Sequence, residues 1–209
     1  RTVAARNDLL AFASRADALP DYLTRARSMV RSAADEAQVS FMDTGPAAAL
    51  GALHDPSVAK AGEQLLLNLG NMHLLGFHLR GRQIASLFEH HTGELDRPRL
   101  EGYLRELAAG TLTNERVFAE SGAAALTLAA DAGSAGDATP FLAVTGPRRE
   151  LLRGSALAPY EPAPHGAMML AGCYGLLRAV AALEPALRAA IARTLDQSPG
   201  AATSRPYAW

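Results

Sequence analysis

The stretch GNMHLLGFHLRGRQ, residues 70–83, places His73, His78, Arg80 and Arg82 among leucines and glycines. Histidine and arginine in an apolar setting are candidates for chemistry. A buried imidazole can serve as a metal ligand or an acid/base group, and a buried guanidinium needs an anionic partner. With residues 64–91 on one helix at about 100° per residue, Gln64, Asn68, Asn71, His78, Arg82, Ser86 and Glu89 share one stripe, the expected solvent face. The opposite line holds Leu66, Leu69, Phe77, Ile84 and Leu87, and with them His73, Arg80 and His91. Gly70, Gly76 and Gly81 flank that face, where a backbone or a ligand could approach closely.

This pattern marks His73 and Arg80 as the candidate catalytic pair. His73 is a ligand or acid/base group, and Arg80 holds a carboxylate of a substrate or cofactor. Asp35, Glu36, Glu101 and Glu106 are the alternative partners of an inward Arg80 in a purely structural pair. A single histidine in an apolar slot between helices suffices for axial haem ligation, so haem is the cofactor to test at His73. His91, His165, Phe77, Met168 and Met169 complete the candidate cofactor-binding set. The methionines stand beside Gly172 and Gly175 in an apolar segment, and methionine fills irregular space.

Other chemistry is poorly served. The sequence has no HExxH, no ExxH pair of the di-iron kind, no GxSxG and no phosphate-binding glycine motif between strand and helix. The cluster FEHHTGE, 88–94, has adjacent histidines about 100° apart on a helix, which do not converge on one metal. No metal site is therefore assigned. Cys173 is the single cysteine, which excludes an internal disulfide and a cysteine zinc cluster. Within an apolar segment with no adjacent base it reads as an inert core thiol. TGPRRELLRG, 145–154, crowds Arg148, Arg149 and Arg153 near a helix start, a pattern read as a solvated basic turn.

The elements that position these groups read as helices. Alanine, leucine and arginine dominate, β-branched residues are few, and no alternating strand of useful length stands out. The expected fold is all-α: a single domain over 1–197, about seven to nine helices around two strongly apolar ones, 56–91 and 165–183. A loose tail follows at 198–209. The other expected helices are 2–18, 20–38, a short one near 46–53, one from the Asp96 cap to Gly110, 114–131, a short one in 145–154, and 185–197. Asp55-Pro56 is a strong helix start, and 131–140 is the most flexible-looking loop.

The 209 residues carry a net charge of −1, which gives no electrostatic reason to seek nucleic acid or an anionic membrane. No apolar run reaches spanning length. Nineteen arginines against one lysine, Lys60, with abundant alanine, read as a bacterial GC-rich codon bias. The lone cysteine and the lack of a signal-peptide pattern suggest a cytoplasmic protein, and the start at Arg1 suggests a trimmed or partial chain. Two functions remain in view. One is a small-molecule or cofactor pocket, with a haem-dependent oxidoreductase as its most specific form. The other is a non-enzymatic helical module that binds a protein partner.

Overall fold

The computed structural model describes residues 6–33, 38–128 and 140–196. These residues form a mixed α/β fold with a five-stranded and a two-stranded sheet, not an all-α bundle. A 3-10 turn at Leu9–Phe12 leads into β1 (Ala13–Arg15), a second turn and helix α1 (Thr24–Ala33). Strand β2 (Ser40–Met42) pairs antiparallel with β1. Helices α2 (Thr44–Ala52) and α3 (Pro56–Lys60) follow, then the meander β3 (Glu63–Leu69), β4 (His73–Arg80) and β5 (Gln83–His91). Next come α4 (Arg97–Ala109), α5 (Asn114–Ser121), β6 (Ala125–Thr127), β7 (Phe141–Thr145), α6 (Ala171–Leu183) and α7 (Pro185–Asp196).

The large sheet runs β6-β5-β4-β3-β7. Only the β3–β7 pair is parallel. Helices cover both faces. Leu65, Leu67, Leu69, Leu74 and Phe88 pack against Leu100, Tyr103, Leu104 and Leu107 of α4 and Val117 of α5. Leu66, Phe77, Leu79, Ile84 and Ala143 pack on the other face with Ala47, Ala49 and Leu50 of α2 and Ala179 of α6.

This covering explains why the strands escape a sequence reading. A strand buried on both faces needs apolar residues at successive positions, so the two-residue alternation is lost. In EQLLLNL of β3, Leu65, Leu66, Leu67 and Leu69 are all 3% exposed or less, although neighbours point to opposite faces. The expected helix 56–91 is therefore a five-residue helix followed by three strands. Asp55 does cap that helix, accepting from Ser57 N, but the helix ends at Lys60. Gly81 lies at φ +60° in the tight β4–β5 turn, a conformation that glycine adopts at low cost.

Local signals decided other elements correctly. Asp96 accepts from Arg99 N at the start of α4, and Gly110 ends it in the left-handed region. The short helix near 46–53 is α2, and 185–197 corresponds to α7. The expected helix 2–18 contains 3-10 turns and β1 over its described residues from Leu9. The helix expected over 20–38 is α1, and residues 34–37 lie outside the described ones. The helix expected over 114–131 stops at Ser121 and gives way to β6. TGPRRELLRG forms a 3-10 turn over Arg149–Leu152. The loop at 131–140, apart from residue 140, and the tail at 198–209 lie outside the described residues.

The apolar segment 165–183 begins with 3-10 turns and becomes α6 only at Ala171. It is not buried all round. Gly175 and Ala179 face the core, whereas Leu176 and Leu177 are exposed. Its buried side lies backbone to backbone on α2. A β-carbon at Gly51 would sit 1.7 Å from the Ala171 carbonyl oxygen, and one at Gly175 would sit 1.9 Å from that of Ala47. Rigid backbone cannot yield to either. Gly175→Ala is expected to destabilise the fold by about 1–3 kcal/mol through forced separation of the two helices. Gly172→Ala, where a β-carbon meets only Ala48 N at 4.0 Å, is expected to leave stability nearly unchanged. Urea unfolding of both variants checks the contrast.

Candidate functional site

Strands β3 and β7 end side by side. Asn68 pairs with Thr145 in the parallel register, and its amide donates to Thr145 Oγ1 at 3.0 Å. Thr145 Oγ1 in turn donates to the Leu67 carbonyl at 3.3 Å. Beyond Thr145 the chain turns at Gly146, φ +99°, where a β-carbon would lie 2.3 Å from the Leu69 carbonyl oxygen. Both the dihedral and the contact demand glycine. The turn is then fixed by Arg148 N donating to Leu69 O at 3.0 Å.

A cleft of about 440 Å³ opens at these strand ends. Thr44, Asn68, Thr145 and Gly146 line one side, and Met168, Met169, Gly172 and Leu176 line the other. No Asp, Glu, Lys, Arg or His lines it among the described residues. Open α/β sheets place ligands outside the carboxyl ends of their strands, where chain connections diverge to either side. Here β3 continues to β4 on one side and has β7 on the other.

A second cleft, of about 420 Å³, shares Thr44 and Asn68 with the first. Phe12, Leu75, Leu87 and Leu126 form its apolar wall, and Asp43, His73 and Glu89 its polar edge. His73 Nδ1 donates to Glu89 Oε1 at 3.0 Å, and both side chains are about half exposed. The His91 ring lies 4.7 Å from that of His73, its partner in the β4–β5 register.

The structure separates the residues that the helical reading had grouped. His73 and Arg80 begin and end β4, roughly 23 Å apart at the usual strand rise. Phe77 is fully buried in the core, edge-on to Phe12 at 5.7 Å. His165 stands at φ +53° with its ring 4.5 Å from Tyr174 and 5.6 Å from His54. Met168 and Met169 line the first cleft and His73 the second, while Arg80, Phe77, His91 and His165 line neither. Cys173 is exposed and lines the first cleft, contrary to the buried thiol expected.

Haem is not supported. His73 sits on a strand, half exposed and bound to a carboxylate, rather than in an apolar slot between helices. No group of three or more His, Cys, Asp or Glu among the described residues could hold a metal. In the FEHHTGE segment, His90 is buried and its Nδ1 donates to the His91 carbonyl. Of the arginines near Gly146, Arg149 pairs with Glu161 at 2.7 Å and Arg148 with Glu150 at 3.5 Å.

Arg80 does pair with a carboxylate, but with Glu63 on the neighbouring strand. Glu63 Oε1 accepts from Arg80 Nε at 3.0 Å and from His78 Nε2 at 2.7 Å. His78, expected on the surface, is 1% exposed. Burial pushes the Glu63 carboxyl up, but Arg80 and His78 outweigh it and hold it below the ordinary glutamate value. A depressed carboxyl adds stability above its unfolded-state pKa and loses that contribution as pH falls through the folded one.

Thr44, Asn68, Gly146, Asp43 and Glu89 were not singled out as site residues. One signal was available, the run FLAVTGP, in which a short apolar segment ends in Thr-Gly-Pro.

The profile of the family described as "Putative pyruvate format-lyase activating enzyme (DUF1786)" matches residues 1–151. The chain belongs to this family. The match takes in the whole large sheet, α2 and Gly146, whereas Met168, Met169 and α6 lie beyond it. No curated protein and no solved structure matched the chain. No helix among the described residues is long and apolar enough to cross a membrane.

The Glu63 cluster yields a direct expectation. Wild-type unfolding free energy should fall as pH drops from 7 to 3, with Glu63 contributing to the slope. Glu63→Gln should be less stable at pH 7 and lose less on acidification. Urea titrations at the two pH values check both.

Proposed function

We propose that this domain binds a small organic ligand in the cleft at the carboxyl ends of β3 and β7, and that the ligand carries a flat, uncharged heteroaromatic group of the nucleoside type. The carrying observation is the cleft itself: an uncharged slot between the Gly146–Pro147 turn and Met168–Met169. Glycine at 146 lets a ring approach the backbone, methionine adapts to its face, and Thr44 and Asn68 supply a few polar contacts.

The family's name refers to an activating enzyme. If such activation ran through an iron–sulfur cluster, several cysteine thiolates would be needed to hold it. This chain has Cys173 alone, so its residues do not fit a cluster ligated within this chain, and no step is routed through one.

Calorimetric titration with adenosine and with ATP tests the reading. Saturable binding of at least one is expected. Gly172→Phe, at a position with room for a side chain, should abolish it while circular dichroism stays unchanged. Bound nucleotide should also protect Cys173 from N-ethylmaleimide. Absence of binding by both probes overturns the reading.

One observation favours a non-enzymatic interaction module instead. Leu177 and Leu187 on α6 and α7 are 39% and 47% exposed. Under that reading, Leu177→Ser with Leu187→Ser abolishes partner binding and leaves the cleft's ligand affinity unchanged.

A further inference from the structure

We infer that the second cleft is a binding site for a small organic ammonium, an apolar body carrying one protonated amine. The cleft lies on the face that α2 shares with β3, β4 and β7, toward its β5–β6 side. Leu75 and Leu87 are left half-buried there, and Leu126 is 42% exposed. With Phe12 and Pro46 they make an apolar wall that excludes water from one side of any occupant.

The polar edge fixes the sign of the ligand. Its charged side chains are the carboxylates of Asp43 and Glu89, and no arginine or lysine among the described residues lines it. Each carboxylate has one oxygen already engaged. Asp43 Oδ1 accepts from Thr44 N at 2.6 Å, which caps α2, and Glu89 Oε1 accepts from His73 Nδ1 at 3.0 Å. The second oxygen of each takes no hydrogen bond from the described residues. His73 is thereby held in one orientation, with Nε2 as its remaining ring nitrogen. The edge carries two carboxylates and neither arginine nor lysine among the described residues, so it favours an ammonium over an anion. Because Thr44 and Asn68 border both clefts, an amine in the second would lie next to a ligand in the first.

Benzylammonium and benzoate have the same ring and opposite charge, and each is titrated into the full chain by ligand-observed NMR, without nucleotide. Saturable binding of benzylammonium is expected, with benzoate weaker. Glu89→Gln should weaken benzylammonium about fivefold, the size of one exposed charge pair. Leu126→Arg, at an exposed position, should abolish it with the circular dichroism unchanged. Asp43 is left intact because it caps α2. Benzoate binding as well as benzylammonium, unchanged binding in Leu126→Arg, or no binding of benzylammonium overturns the proposal. None of these outcomes depends on whether adenosine or ATP occupies the first cleft.

Discussion

Strand β3 is the constraint on which the remainder depends. Both of its edges are hydrogen-bonded, antiparallel to β4 and parallel to β7, and both of its faces are covered. Each fully buried leucine contributes about 1.5–3 kcal/mol relative to exposure, so this strand anchors both hydrophobic layers. Its carboxyl end is also where both clefts meet. The Asn68–Thr145 hydrogen bond ties the two parallel strands together at that point, and the Gly146 turn closes back onto Leu69. The same pairing that stabilises the core therefore builds the floor of the first cleft.

The first cleft needs a second wall, and glycine supplies the means. Gly51 and Gly175 let α2 and α6 touch through their backbones, which brings Gly172, Cys173 and Leu176 over the strand ends. A side chain at either close-contact glycine would drive α6 outward and widen the cleft. Stability and cleft width are thus coupled through one helix crossing. The second cleft arises differently, from a short helix on a wide sheet. The nine residues of α2 lie mainly over β3, β4 and β7, and among the described residues Leu75 and Leu87 stay half-buried and Leu126 exposed beside the Glu89–His73 pair.

Much of the local structure was legible. Asp55 and Asp96 each cap a helix, and Gly110 ends one in the left-handed region, whereas Gly122, which also ends one there, falls inside the helix expected over 114–131. The strands were not legible by periodicity, because burial on two faces erases alternation. That single substitution of strand for helix changes every facing. On a helix His73 and Arg80 share one face two turns apart. On β4 they occupy opposite ends, while His78 turns from the expected surface into a buried pair with Glu63. Arg80, expected inward on a helix, stands partly exposed at the end of β4 and pairs with Glu63 of the adjacent strand rather than with a carboxylate of another helix.

The sequence by itself determined what depends on neighbours in the chain: caps, stops and the lack of a cysteine cluster. Tertiary structure alone decided what depends on pairing across long separations. The Asn68–Thr145 contact spans 77 residues, and the Gly51–Ala171 approach spans more than a hundred. Neither leaves a periodic trace, because the interaction constrains each partner only to be small or polar. Many positions satisfy that requirement, and only the folded sheet selects the ones that meet.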